Sequence, residues 1–90
     1  MNSHRRRVIV RGDVQGVFFR DSCHQAAIAA AVTGWVSNRS DGSVEAVFEG
    51  EQGAVEAMCA WCREGPAHAR VDDLEITEEP VRGESGFQVR

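Results

Sequence analysis

Apolar positions change rhythm along the chain, and the changes mark its elements. Val8, Ile9 and Val10 form a β-branched run between arginines, which predicts a first strand over residues 6–11. Gly12 and Gly16 punctuate the stretch 12–20. An Ala-rich segment follows, in which Cys23, Ala26 or Ala27, and Ala30 recur at three- and four-residue steps. That spacing predicts a helix beginning at Asp21 or Ser22, both able to cap free N–H groups, and running to about Ala31. Its small-residue face lets it lie close to a sheet. Val55, Met58, Cys59 and Cys62 fall at i, i+3, i+4 and i+7, one apolar stripe on a second helix over 51–63 that Gly65-Pro66 stops. A strand over 71–78 carries Leu74 and Ile76, residues 80–86 connect, and 87–90 can close the sheet.

Between the helices lie two strands, 35–38 and 43–49, joined through Arg39-Ser40-Asp41-Gly42. Val44, Ala46 and Phe48 alternate with Glu45 and Glu49, so the apolar set faces the core. A two-residue Asp-Gly turn pairs Asn38 with Glu45 and sends Val36 to the opposite face. A three-residue loop, with Gly42 left-handed and a bulge, aligns Val36 with the apolar set and turns Asn38 inward. The second arrangement is preferred. The order β-α-β-β-α-β is then that of a ferredoxin-like α+β sandwich, an antiparallel sheet with two helices on one face. In it strands one and two run parallel with strand three between them, so the ends of both lie at one sheet edge, about 10 Å apart. The stretch 12–20 leaves one end, and Asn38 sits at the other.

That stretch reads as strand, glycine loop and helix start. The first N–H groups of a helix lack intrahelical partners and carry the positive end of its dipole, glycines let the backbone bend inward, and Arg20 adds a planar fork suited to phosphate oxygens. On this pattern alone, a βα turn that binds nothing is the better reading, since most glycine-containing turns of this kind bind no anion; Asn38 facing the nest brings the anion site level with it.

Ninety residues point to one domain over 1–90, with 1–5 expected to fray. No apolar run approaches the roughly 20 residues of a membrane span, and a cytoplasmic, monomeric protein without membrane association is expected. The formal charge of -4 argues against nucleic acid as a partner. Arg5, Arg6, Arg7 and Arg11 load the start, while Asp72, Asp73, Glu75, Glu78 and Glu79 load the end. Pairing of the first and last long strands would let these complement each other, at about 1 kcal/mol or less per exposed pair. Cys23, Cys59 and Cys62 are an odd set, and Cys59-Ala60-Trp61-Cys62 has no second half for a zinc site, so all three are expected as buried thiols.

The motif Gly12-x-Val14-Gln15-Gly16-Val17-x-Phe19-Arg20, then Gly34-Trp35-Val36-x-Asn38-x-x-Asp41-Gly42-x-Val44-Glu45, with Gly65-Pro66 and Ala69-x-Val71, resembles the acylphosphatases over nearly the whole chain. The resemblance implies a ferredoxin-like fold and hydrolysis of small-molecule acyl phosphates to carboxylate and inorganic phosphate, with no metal and no organic cofactor. Carried over by residue, it implies that Arg20 holds the phosphoryl oxygens. Backbone N–H groups at Gln15, Gly16, Val17, Phe18 and Phe19 complete the cradle, and Asn38 orients the attacking water.

Three positions depart from the family pattern. Asp13 and Ser37 stand where basic residues are common, and Ala31 where a glycine often ends the first helix; the last costs about 1 kcal/mol if φ is positive there. Phe18 and Phe19 read as wall and core rather than as base-stacking aromatics, and His24 as a surface helix residue. The competing reading is a binding or regulatory module that keeps the nest without turnover, such as a sensor of a phosphorylated metabolite.

Overall fold

The computed structural model describes residues 3–90. In chain order it contains β1 (Ser3–Asp13), α1 (Phe19–Ala29), β2 (Thr33–Asn38), β3 (Val44–Glu51), α2 (Gln52–Glu64), β4 (Arg70–Glu79) and β5 (Phe87–Val89). The strands form one sheet in the order β4-β1-β3-β2-β5. β3 is antiparallel to both β1 and β2, which makes those two parallel to each other. Val10, Val44 and Asn38 share one rung across the three strands, and Val8, Ala46 and Val36 share the next inward.

Both helices cover one face. Val8, Val10, Val36, Val44, Ala46 and Phe48 from the sheet pack with Phe19, Cys23 and Ala27 of α1 and with Val55, Met58, Cys59 and Cys62 of α2. The cysteines are free and buried. Burial pushes the Cys59 thiol up, and a contact with Cys23 together with burial pushes the Cys62 thiol well up, so both stay protonated and behave as small hydrophobes.

The hairpin between β2 and β3 takes the three-residue form. The Arg39 N–H donates to the Ser43 carbonyl at 2.8 Å, the Gly42 N–H to the Arg39 carbonyl at 3.2 Å, and Gly42 has φ 91°, a left-handed backbone that glycine adopts without steric cost. Asn38 therefore pairs with Val44 rather than with Glu45, and Val36 is fully buried.

Several expectations are corrected. The sheet is mixed, because β5 pairs parallel to β2. β4 and β5 occupy opposite edges, so the chain between them must cross the sheet and turn back. It crosses the face away from the helices, where Glu49 accepts the N–H groups of Arg82 at 2.7 Å and Glu84 at 2.6 Å. That crossing explains why charged groups on a face without helices are hidden: Arg5 is 1% exposed and Glu49 4%. Arg5 bonds Glu79 at 3.0 Å and Glu84 at 2.8 Å, and reaches Glu49 at 3.5 Å. Residues 3–5 are thus paired in β1 rather than frayed, while Met1 and Asn2 lie outside the described residues. The first and last long strands do pair, with Arg6 on Glu78, Arg7 on Glu79, and Arg11 beside Asp73 and Glu75.

The first helix also starts earlier than its side-chain caps suggest. Phe19 is the first helical residue, Phe18 precedes it in a left-handed conformation, and no side chain caps the end. At the other end, the Ala31 N–H bonds the Ile28 carbonyl at 3.1 Å and the Val32 N–H bonds the Ala27 carbonyl at 3.0 Å. This is a Schellman motif, with Ala31 at φ 58° in the place that glycine usually takes.

Candidate active site

A cleft of about 310 Å³ opens at the sheet edge where β1 and β2 end, with Val14, Gly16, Phe18, Arg20, Asn38 and Val89 in its lining. The geometry follows from topology. β1 feeds the loop 14–18, β2 delivers Asn38, and β3 lies between them as a spacer.

The loop side is built around the uncapped start of α1. The first helical bond runs from the Ser22 N–H to the Phe18 carbonyl at 3.0 Å. The N–H groups of Phe19, Arg20 and Asp21 therefore lie outside the helical ladder, with no capping side chain to take them. Gly16 at φ 74° and Phe18 at φ 61° bend the approach through two left-handed residues, the kind of turn that gathers backbone N–H groups toward an anion. A bulky side chain is disfavoured at such an angle, by about 1–2 kcal/mol.

Arg20 is the second residue of α1 and lines the cleft. Its Nη1 donates to the main-chain oxygen of Arg90 at 2.7 Å. Arg90 is itself fixed, through its N–H to the Val36 carbonyl at 2.8 Å and through its guanidinium 4.4 Å from the centre of the Trp35 ring.

The residues expected in the cradle take different places. Gly16, Phe18 and Phe19 line the cleft. Phe18 is its open wall at 76% exposed, and Phe19, 2% exposed, is its floor, set edge-on against Trp61 at 5.2 Å. Val17 packs against the core. The Gln15 side chain turns to the neighbouring hairpin, where Nε2 donates to the carbonyls of Arg39 at 2.7 Å and Ser43 at 2.9 Å. Both donors of that amide are engaged, so it braces the loop against the hairpin. Asp41 stiffens the same hairpin by accepting the Ser43 hydroxyl and N–H, which holds its carboxyl below the ordinary range. Asn38 is half-buried in the cleft, and no side chain or backbone group among the described residues bonds its amide. Asp13 lies on the other flank, paired in register with Arg70.

A family model described as Acylphosphatase matches residues 6–89. The chain belongs to the acylphosphatase family. It is 59% identical over 85 residues to an acylphosphatase of Rubrobacter xylanophilus, covering 93% of this chain and 77% of that one. An acylphosphatase structure from Coxiella burnetii superposes with a TM-score of 0.95 at 42% identity, over 99% of this chain and 94% of that one. Full-length HypF in its phosphate- and nucleotide-bound form contains a similar unit, with a TM-score of 0.92 at 27% identity, spanning 99% of this chain and 12% of that one. In this acylphosphatase, Asp21 lines the cleft although its sequence signal is that of a helix cap, and two further cleft or bracing residues carry no sequence signal of their own: Val89 and Arg90. Both join the site only through the pairing of β5 with β2, which no local pattern encodes.

Proposed function

We propose that the cleft hydrolyses acyl phosphates, with Arg20 and the backbone N–H groups around it binding the phosphoryl oxygens and Asn38 orienting the attacking water. The observation that carries this reading is the meeting, in one cleft, of an uncapped helix start bearing an arginine with a half-buried amide that no other described residue bonds. The first is suited to an anion; the second can accept from and donate to a water.

The chemistry asks for little else. The water oxygen attacks phosphorus, the bond from phosphorus to the acyl oxygen breaks, and its electron pair leaves with the carboxylate. A carboxylate is a stable anion, so no general acid has to protonate it. The proton lost by the water can pass to a phosphoryl oxygen. What remains for the protein is to hold the equatorial oxygens and to align the water opposite the leaving group. Arg20, the N–H groups of the loop and α1, and Asn38 supply both. Gln15 enters as the brace that fixes the distance between the two halves. Three free buried thiols suit the reducing conditions of a cytoplasm.

The binding-module reading draws on the HypF likeness, where a similar unit is a small part of a much larger protein. Hydrolysis of benzoyl phosphate or acetyl phosphate by the purified chain, with a chelator present, separates the two. Turnover insensitive to the chelator is expected; substrate lost only at the background rate would sink the enzyme reading.

A further inference from the structure

Two large apolar side chains stand open to solvent at the same cleft. Phe18 is 76% exposed and Val89 42%, and both line the space that Gly16, Arg20 and Asn38 also line. The exposure of Phe18 is unfavourable twice over. Its ring forgoes the burial that drives phenylalanine inward, and its backbone is held at φ 61°, ψ 25°, a conformation that a bulky residue avoids. The neighbouring Phe19 occupies the buried place instead, against Trp61. A position both strained and solvent-facing, two residues before Arg20, marks a surface completed by a ligand rather than by the fold.

Val89 reaches the cleft by an independent route. It lies on β5, paired with Val36 of β2, and the next residue, Arg90, receives the Arg20 guanidinium. Arg20 thus has an apolar neighbour from the loop and another from β5. An acyl phosphate has two ends with opposite needs: a phosphoryl group that wants donors, and an acyl substituent that wants a surface matched to its polarity. A cleft of about 310 Å³ leaves room for both, being at the lower end of small-molecule sites.

We propose that Phe18 and Val89 form an acyl-group subsite that selects acyl phosphates with a flat or bulky apolar acyl group over those with a short one. The inference rests on the acyl-phosphate reading of the same cleft. A planar aromatic acyl group can stack against or meet the edge of the Phe18 ring, while its other side meets Val89; an acetyl group is too small to touch both.

The test is the ratio of kcat/KM for benzoyl phosphate to that for acetyl phosphate, compared between the parent protein and Phe18→Ala, Phe18→Leu and Val89→Ala. The intrinsic reactivities of the two substrates are common to every variant. Any disturbance of the phosphoryl cradle slows both substrates and divides out, and inhibition by inorganic phosphate reports it separately. The ratio should fall about tenfold in Phe18→Ala, less in Phe18→Leu, and about threefold in Val89→Ala. Circular dichroism establishes that each variant is folded, and if the Phe18 variants are not, Val89→Ala decides. A ratio within twofold of the parent value in the folded variants overturns the subsite while leaving the hydrolase reading intact. Background rates for both substrates with the parent protein overturn both.

Discussion

Arg20 and Arg90, 70 positions apart, meet at the cleft, with Nη1 of the first 2.7 Å from the main-chain oxygen of the second. A guanidinium has five N–H donors in a fixed plane, and one engaged donor orients the remainder. The receiving oxygen is held in place by the Arg90 N–H on Val36 and by the Arg90 guanidinium over Trp35. The fork proposed to bind the phosphoryl group is therefore aimed before substrate arrives.

Removing that fork should show in turnover and hardly in folding. Arg20→Ala is expected to lower kcat/KM for benzoyl phosphate by about 100- to 1000-fold, and Arg20→Lys should remain poor because a point charge cannot reproduce the planar pair of donors. Steady-state hydrolysis checks this, with urea unfolding as the control. A lysine variant close to the parent rate would contradict it.

Asn38 has a separate signature. If its amide orients water, Asn38→Ala should lower kcat more than it raises KM, since the interaction belongs to the reacting complex rather than to substrate binding. Full Michaelis curves with acetyl phosphate give both constants. An effect confined to KM is the outcome that rules the role out.

Ala31 offers a gain in stability. Its φ of 58° within the Schellman motif carries a Cβ penalty that glycine lacks, and Ala31→Gly should raise unfolding free energy by about 0.5 kcal/mol after the extra freedom of glycine in the unfolded chain is subtracted from the relief. Urea midpoints at constant m-value measure it. A loss of stability would mean that the strain at this site is smaller than the entropic cost.

Glu49 makes stability depend on acid. Burial pushes its carboxyl up, but the N–H groups of Arg82 and Glu84 and the Arg5 guanidinium outweigh that and hold it below the ordinary carboxylate value. The Glu79 carboxyl is held down in the same direction by Arg7 and Arg5. A folded value below the unfolded one contributes stability that is complete above the ordinary carboxylate range and is lost as pH falls through the lowered value. Urea midpoints should therefore be level from about pH 7 to 5 and drop below about pH 4. Glu49→Gln should cost about 3 kcal/mol at pH 7, the lower end for breaking a buried pair because Arg5 keeps Glu79 and Glu84. Its acid limb should be shallower than the parent's; an unchanged slope would show that Glu49 does not titrate there.

Local rhythm in the sequence carried most of the architecture and the Asn38 half of the site. Hairpin parity favours Val36 in the core and Asn38 turned inward, because a strand alternates strictly and one extra loop residue reverses every side chain; the order of the elements then brings Asn38 to the edge where the cleft opens. The start of α1 is not legible in the sequence for a physical reason: Asp21 and Ser22 are good caps, whereas the residue that precedes the helix is a left-handed phenylalanine, which no propensity favours. Gln15 reads from the sequence as a loop brace more readily than as a contact, but its two partners, carbonyls 24 and 28 positions away, are brought within reach only by the fold. The burial of Arg5 and Glu49 was equally out of reach, since it depends on residues 82–84 crossing a face that strand periodicity leaves open.

The Gln15 bonds have a consequence for the temperature dependence of turnover. They span the gap between the loop that carries the N–H donors and the hairpin that carries Asn38, so the relative position of the two halves is settled during folding rather than at each encounter with substrate. Little ordering of the protein then remains for the barrier-crossing step. The activation entropy should be correspondingly small, and Gln15→Ala should make it more negative, leaving turnover slower even with the amide and the arginine both in place.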